Sequence, residues 1–511
     1  MNRKPNTIVI CSDEHHFRYT GYAGHPYVKT PNLDALAREG TVFNNAFCNS
    51  PVCTPSRMSF ITGKYVSQIG SWFIGVPLND QEPTWASRLS QAGIKTTMLG
   101  KMDFCGAYQS GGFDEYRIIE RRGAFEPYPR ISPLGSRTKG YIRSDKLAHV
   151  LNAGIRKPLY TNGSDGHNDA LGFYDHDRMV TQWALEYLEN AHCQSEDQPW
   201  TLYLGYLMPH WPYTCPEKYF NMYYPDQIEM PFDCELPVNP RLHPAIQEFQ
   251  RACNLKDITD DQIRKVLAAY CGLITAMDDM LGQVFAKLKE LGMYDNVNII
   301  YTSDHGDSCF EHGLLFKQCA YNGSCAVPLI VKGPDFQQRR AVDTPVSLVD
   351  LYPTILDFWG LKAETDRSGR SWVPLLKGET DYGMNYVFAE YHGNFFRNDW
   401  YMIVRGDYKY VYYINQQPSL FNVKEDPQEL HDLAHLPKYQ ELLDEFEALL
   451  RTIVDPEAVS WQSKADLGLI GKNGEDYTQT LTFDRLREGY QSGWFEFQPE
   501  FVQYHQYLEE Y

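Results

Sequence analysis

Five short apolar runs dictate what this chain can fold into: Thr7 to Cys11, Lys95 to Leu99, Thr201 to Leu207, Val297 to Thr302 and Val327 to Lys332. A run that brief and nearly continuously apolar suits a strand buried on both faces, which helices must then cover above and below. Helical patterns lie between the runs. Asp175 to Asn190 sets Met179, Val180, Trp183, Ala184, Tyr187 and Leu188 on one stripe. After Thr259, whose partner Gln262 completes a capping box, apolar residues recur at three- and four-residue spacing from Ile263 to Leu288 and stop at Gly292. This alternation predicts an α/β fold with a large, mostly parallel central sheet flanked by helices.

From about Trp372 the texture changes. Val387 to Tyr391, Tyr401 to Arg405 and Lys409 to Tyr413 are closely spaced and aromatic, with turn signals at Asn398-Asp399 and Gly406-Asp407. They predict a smaller antiparallel sheet, covered by a helix near Lys438 to Ile453. The expected division is residues 1–375 as the α/β unit that carries the chemistry, 376–455 as the antiparallel-sheet subdomain and 456–511 as an aromatic-rich tail. That tail holds Tyr477, Phe483, Tyr490, Trp494, Phe495, Phe497, Phe501, Tyr504 and Tyr507. So much aromatic surface needs cover, and a subunit interface in a homo-oligomer is the expected one.

Charge narrows the function. The 511 residues carry 47 Lys+Arg against 66 Asp+Glu, a net −19, whereas nucleic acid or an anionic membrane calls for a basic footprint. Neither is expected as a partner. The opening MNRKPN leads straight into a strand-like run without a signal-peptide apolar stretch, and no apolar run approaches 18 residues, so no membrane-spanning helix is expected. The twelve cysteines form no CxxC pair and read as reduced thiols, which places the protein in the cytoplasm.

Open α/β sheets bind ligands beyond the carboxyl ends of their strands. The first run leads into Ser12-Asp13-Glu14-His15-His16 and the fourth into Ser303-Asp304-His305-Gly306-Asp307. If those strands are neighbours, Asp13, Glu14, Asp304 and His305 converge into an oxygen-rich set with one imidazole, suited to Ca²⁺, Mg²⁺ or Mn²⁺. Loop carboxylates that are solvated or cap a helix would read the same way. A third element, Cys53-Thr54-Pro55-Ser56-Arg57, precedes the helix-compatible Met58 to Thr62. Pro55 suits a first helical turn, which puts Cys53 at or just before the helix N-terminus, where the dipole and Arg57 are expected to lower its thiol pKa; an inert buried cysteine is the other reading.

Cys53 to Arg57, CTPSR, resembles the C-x-P-S-R signature of the type I sulfatases of the alkaline phosphatase superfamily, in the branch with arylsulfatases, choline sulfatases and phosphonate monoester hydrolases. Thr30 to Gly40, Ile61 to Tyr65, Gly100-Lys101, Met208 to Tyr213, Ser303 to Asp307, Lys317 with Val327 to Ile330, and Val349 to Thr354 resemble further landmarks in the family's order. The resemblance implies a sulfatase that cleaves a small, anionic sulfate monoester to alcohol and sulfate. It implies that a formylglycine-generating maturation enzyme oxidises Cys53 to formylglycine, whose hydrate attacks sulfur and later expels sulfate. It also implies one divalent metal, calcium first with manganese or magnesium as alternatives, bound by Asp13, Glu14, Asp304, His305 and residue 53. Arg57 and Lys101 would hold the diol, Lys101, His210 and Lys317 would bind the sulfate group, and His210 would protonate the leaving oxygen.

Two departures accompany the resemblance. Asp103 stands where most sulfatases have a histidine after Gly-Lys-x, and the metal motifs read Asp13-Glu14 and Asp304-His305 in place of the common tandem aspartates and Asp-Asn. A phosphonate monoester or phosphodiester hydrolase with the same nucleophile is therefore the alternative. Tyr108, Trp72, Phe73, His392 and Asn394 are candidates for the pocket wall.

Overall fold

The first apolar run shows why such a segment becomes a central strand. In Asn6–Asp13 (β1), Ile8 and Ile10 enter one core while Val9 and Cys11 enter another, the two-residue alternation of an extended chain buried on both sides. The computed structural model describes residues 4–118, 153–155, 172–193 and 198–478, apart from 107, 254, 256, 394, 395, 397, 468, 471, 472 and 477. Its main sheet adds Thr41–Phe43 (β2), Lys95–Gly100 (β3), Glu115–Arg117 (β4), Trp200–Pro209 (β5), Val297–Ser303 (β6), Leu329–Lys332 (β7) and Arg340–Val342 (β8). The order is β8-β2-β7-β6-β1-β5-β3-β4.

The five strands from β6 to β4 pair in parallel. Strand β7, the last apolar run, is antiparallel to both β6 and β2. A parallel return would need a crossover helix, but residues 304–328 between β6 and β7 form loops and short helical turns around the site.

Helices cover both faces as the periodicity requires. Pro31–Glu39 (α1), Phe173–Cys193 (α3) and Asp260–Glu290 (α4) pack with Ile8 and Ile10; Cys53–Thr62 (α2) and Leu351–Phe358 (α5) pack with Val9 and Cys11. Helix α4 starts at the expected capping box: the Gln262 backbone N–H donates to Thr259 Oγ1, and the Gln262 side chain accepts from the Thr259 backbone. In α3, Val180, Ala184 and Leu188 are buried, whereas Met179, Trp183 and Tyr187 stay half-buried at the edge of the stripe. Among the described residues no helix is long and apolar enough to cross a membrane.

The second sheet contains Val387–Tyr391 (β9), Trp400–Arg405 (β10), Tyr408–Tyr413 (β11) and the further short strand Ser419–Asn422 (β12), all antiparallel in chain order. One face sends Ala389, Tyr391, Trp400 and Met402 into the core that also holds Ile8 and Ile10. The other packs Phe388, Tyr401 and Ile403 against Leu443, Phe446 and Leu450 of Gln440–Ile453 (α6). The chain then forms Pro456–Asp466 (α7), where Trp72 Nε1 donates to Asp466 Oδ2 at 2.7 Å and Leu467 and Leu469 pack on Val66 and Trp72. The start of the tail thus covers the chain's own surface. The aromatics Tyr477, Phe483, Tyr490, Trp494, Phe495, Phe497, Phe501, Tyr504 and Tyr507 lie outside the described residues.

A buried ionic cluster joins these parts. His392 donates from Nε2 to Glu390 Oε2 at 3.0 Å and from Nδ1 to Asp399 Oδ2 at 3.1 Å, while Ser463 of α7 also donates to Asp399. Burial opposes its charge, but Asp399 and Glu390 prevail and push the imidazole up to about 9. The folded pKa lies above the unfolded value of roughly 6.5, so this stabilisation is complete below that pH and fades as pH rises through 9. The melting-temperature gap between the wild type and His392→Gln is expected to be several degrees at pH 6 and to close by pH 10. An equal gap at both pH values would contradict this.

Candidate active site

Strand register brings the candidate residues together. Cys11 aligns with Thr302 of β6 and Gly205 of β5, and Gly100 of β3 aligns with the same Gly205. Chain therefore leaves the carboxyl ends of four adjacent strands at one place, carrying Asp13-Glu14, Asp304-His305, His210 and Lys101. Two glycines make the approach feasible. Gly100 has φ +91, and a Cβ there would lie 2.2 Å from the Gly205 carbonyl oxygen, while one on Gly205 would lie 1.9 Å from that of Lys101. Helix α2 delivers Cys53 as its first residue, with no side chain capping that end, and Arg57 one turn later.

A carboxylate oxygen each of Asp13 and Asp304, Cys53 Sγ and a ring nitrogen of His305 lie within 4.8 Å of one another, all buried. His305 Nδ1 donates to the Gly306 carbonyl at 2.9 Å, which leaves the Nε2 lone pair turned toward Cys53 at 3.4 Å. Two carboxylates, one imidazole and the side chain at position 53 suit a divalent cation that prefers oxygen. Glu14 stands apart from this group and forms a second one with Asp13 and His210. Its Oε2 accepts from Lys317 at 2.6 Å and lies 3.2 Å from His210 Nε2. Its Oε1 is buried without a hydrogen-bond donor.

Cations surround the carboxylates. Arg57 Nε donates to Asp304 Oδ2 at 2.8 Å, and its Nη1 donates to the Lys101 carbonyl and the Tyr203 hydroxyl, each at 2.9 Å. Burying a guanidinium costs several kcal/mol, offset here because the charge is paired and its donors are engaged. Lys101 Nζ donates to Asp13 Oδ2 and stands 3.6 Å from Asp103. Asp103, at φ +63, accepts from Thr54 Oγ1 at 3.4 Å.

These contacts polarise the titrations. Burial opposes the charge on Asp13, but Lys101, His210 and Arg57 hold its carboxyl well below the usual range. Glu14 is pushed up to about 8 by burial, with Asp307 adding to the rise against Lys317. Burial and the nearby Lys317 hold His210 well below the ordinary histidine value. Cys53 differs from the expectation of a lowered thiol pKa: burial, reinforced by Asp13, raises it to about 12. The helix end and Lys101 do not offset that, and Arg57 is committed to Asp304.

Some contacts around the site escape a sequence reading, even where the residue lies in one of the sequence motifs. Ser56 Oγ donates to the Asp304 carbonyl at 2.6 Å, and the Tyr213 hydroxyl donates to Asp307 Oδ2 at 2.7 Å. Tyr203 looks like any strand tyrosine until Arg57 reaches it; Asp307 carried a signal only through its place after Asp304-His305. Of the pocket-wall candidates, Trp72 and His392 are buried against each other with ring centroids 5.0 Å apart, Phe73 belongs to the core, and Asn394 lies outside the described residues.

Comparison with known proteins agrees with this geometry. The family model "Sulfatase" matches residues 5–361, and "N-sulphoglucosamine sulphohydrolase, C-terminal" matches residues 310–455. Arylsulfatase K of Danio rerio is 29% identical over 481 residues, covering 89% of this chain and 85% of that protein. Choline-sulfatase of Rhizobium meliloti (strain 1021) is 28% identical over 497 residues, covering 96% and 93%. Two solved structures share the fold. BT4656, in complex with its substrate D-glucosamine-2-N,6-O-disulfate, aligns with a TM-score of 0.69 at 21% identity over 88% of this chain and 97% of its own. Phosphonate monoester hydrolase of Agrobacterium radiobacter aligns with a TM-score of 0.71 at 22% identity over 92% and 99%. With the family model spanning both acidic strand ends, the CTPSR helix and Lys317, this chain belongs to the sulfatase family and is a sulfuric ester hydrolase.

Proposed function

We propose that the protein hydrolyses a small sulfate monoester to its alcohol and inorganic sulfate, with Cys53 carried as formylglycine and one divalent cation, calcium, beside it. The observation that carries this reading is the convergence of Asp13, Cys53, Asp304 and His305 within 4.8 Å. A cation bound there, together with the hydrated aldehyde, supplies a hydroxyl nucleophilic at neutral pH. Asp13, Asp304 and His305 Nε2 would hold the cation, and Arg57 keeps the Asp304 carboxylate oriented through its 2.8 Å bond. Lys101 and Lys317 offer ammonium groups to the sulfate oxygens, where preorganised charge is commonly the largest catalytic contribution. His210 Nδ1 donates to the Trp211 carbonyl at 2.5 Å, so in the neutral ring Nε2 is the atom that relays a proton to the leaving oxygen, taking it from the Glu14 carboxyl, pushed up to about 8 and 3.2 Å away. In this reading the chain is matured by a formylglycine-generating enzyme in the cytoplasm and works as a homo-oligomer.

Mass spectrometry of the peptide containing Cys53 is expected to show an aldehyde in place of the thiol. Comparing kcat/KM on matched aryl sulfate and aryl phosphonate esters tests the substrate: the sulfate should win by at least about tenfold. A preference for the phosphonate ester would replace this reading with the phosphonate monoester or phosphodiester alternative.

A further inference from the structure

Lys317 reaches the site from backbone that an L-residue chain does not adopt unaided. Its neighbours Phe316 and Gln318 have φ +70 and +88, and Cys309, Phe310 and His312 just before them are also left-handed. Such a segment persists only where its surroundings over-determine it. Its beginning is held locally, by the Ser308 backbone N–H donating to the Phe316 carbonyl at 2.5 Å. Past Lys317 the restraint comes from the antiparallel sheet and the loop after it. Trp400 of β10 donates its indole N–H to the Gln318 carbonyl at 2.9 Å. Lys409 of β11 donates to the Ala320 carbonyl at 2.8 Å and to Asn322 Oδ1 at 2.6 Å. Glu429 Oε1 pairs its charge with Lys409 Nζ at 2.6 Å, and its Oε2 accepts from the Asn322 backbone N–H at 2.7 Å.

Trp400 and Lys409 are fully buried and Glu429 nearly so. An ammonium buried that deeply must be satisfied, and two of its three partners belong to the segment following Lys317, so moving that segment would strand the charge. The stiffness of the ion pair is thus transmitted to the loop.

We propose that Trp400, Lys409 and Glu429 are positioning residues for Lys317, and that the antiparallel sheet serves catalysis by fixing this lysine beside Glu14. The catalytic consequence rests on the reading that Lys317 binds the sulfate group; the structural one does not. The experiment has two arms. Crystal structures of Trp400→Phe, and of the charge-neutral pair Lys409→Met with Glu429→Gln, should show Lys317 Nζ displaced from its 2.6 Å contact with Glu14. In kinetics on an aryl sulfate, with equal formylglycine content, Trp400→Phe should lower kcat/KM roughly tenfold in the wild type and less than about twofold in a Lys317→Ala background. A lysine unmoved in both crystal structures, or a Trp400→Phe loss as large without Lys317 as with it, overturns the proposal. Displacement of Lys317 in a protein that leaves aryl sulfates intact would uphold the positioning and reject the substrate reading.

Discussion

Cys53→Ala is expected to lower kcat/KM for an aryl sulfate by about ten-thousand-fold or more while the protein stays folded, as befits removal of a nucleophile. The structural cost is small by comparison. Cys53 is the first residue of α2, a position alanine tolerates, and loss of one small buried side-chain group costs on the order of 1–2 kcal/mol, within reach of a stable fold. Under the proposed formylglycine mechanism the chemical cost is total, because an alanine cannot be converted to the aldehyde. The same reasoning sets a second expectation. Burial and Asp13 hold the unmodified sulfur as a thiol, so under the same mechanism protein made without the proposed maturation enzyme should be as inactive as the alanine variant. Steady-state kinetics, with circular dichroism to verify folding, decides it. Retention of wild-type activity in Cys53→Ala would remove the formylglycine mechanism altogether.

Asp304→Asn carries the next largest effect, and two consequences should appear together. The carboxylate belongs to the four-donor group and also accepts from fully buried Arg57, so the amide weakens cation binding and removes the guanidinium's nearest counter-charge, leaving only Asp13 at 3.7 Å. A drop in kcat/KM of about a thousandfold is expected, with bound metal falling well below one ion per chain. Stability should fall by about 3–5 kcal/mol, the usual result of removing one partner from a buried ion pair. Denaturant titration and elemental analysis measure the two separately. Unchanged metal content with unchanged activity would mean that Asp304 only pairs with Arg57.

The contrast between Asp13 and Glu14 shows what a sequence conceals. They are consecutive carboxylates after one strand and read as a pair of ligands, yet Glu14 turns left-handed at φ +66 and its side chain joins Lys317 and His210. Nothing in the order Asp-Glu announces that turn; the Glu14 backbone N–H donates to Asp304 Oδ1 at 3.2 Å and its carbonyl accepts from the Tyr270 hydroxyl at 2.6 Å, both far away in sequence. Cys53 teaches the same lesson in energy. Its helix position was legible from Pro55, but its thiol pKa depends on burial and on Asp13, forty residues away in sequence.

By itself the sequence determined the elements and named the candidates for the site: both-face-buried strands from continuous apolar runs, α4 from its capping box, the second sheet from clustered aromatics, and the candidate site residues from CTPSR and the two acidic turns. These are local properties, set by periodicity, capping and side-chain type within a few residues. Only the tertiary structure decided that β7 runs antiparallel, that four strand ends meet at Gly100 and Gly205, that Arg57 serves Asp304, and that Trp400 and Lys409 reach back to the Lys317 loop. Each of these joins residues far apart in the chain, and such contacts follow from how packed layers close around buried charge, which no single segment encodes.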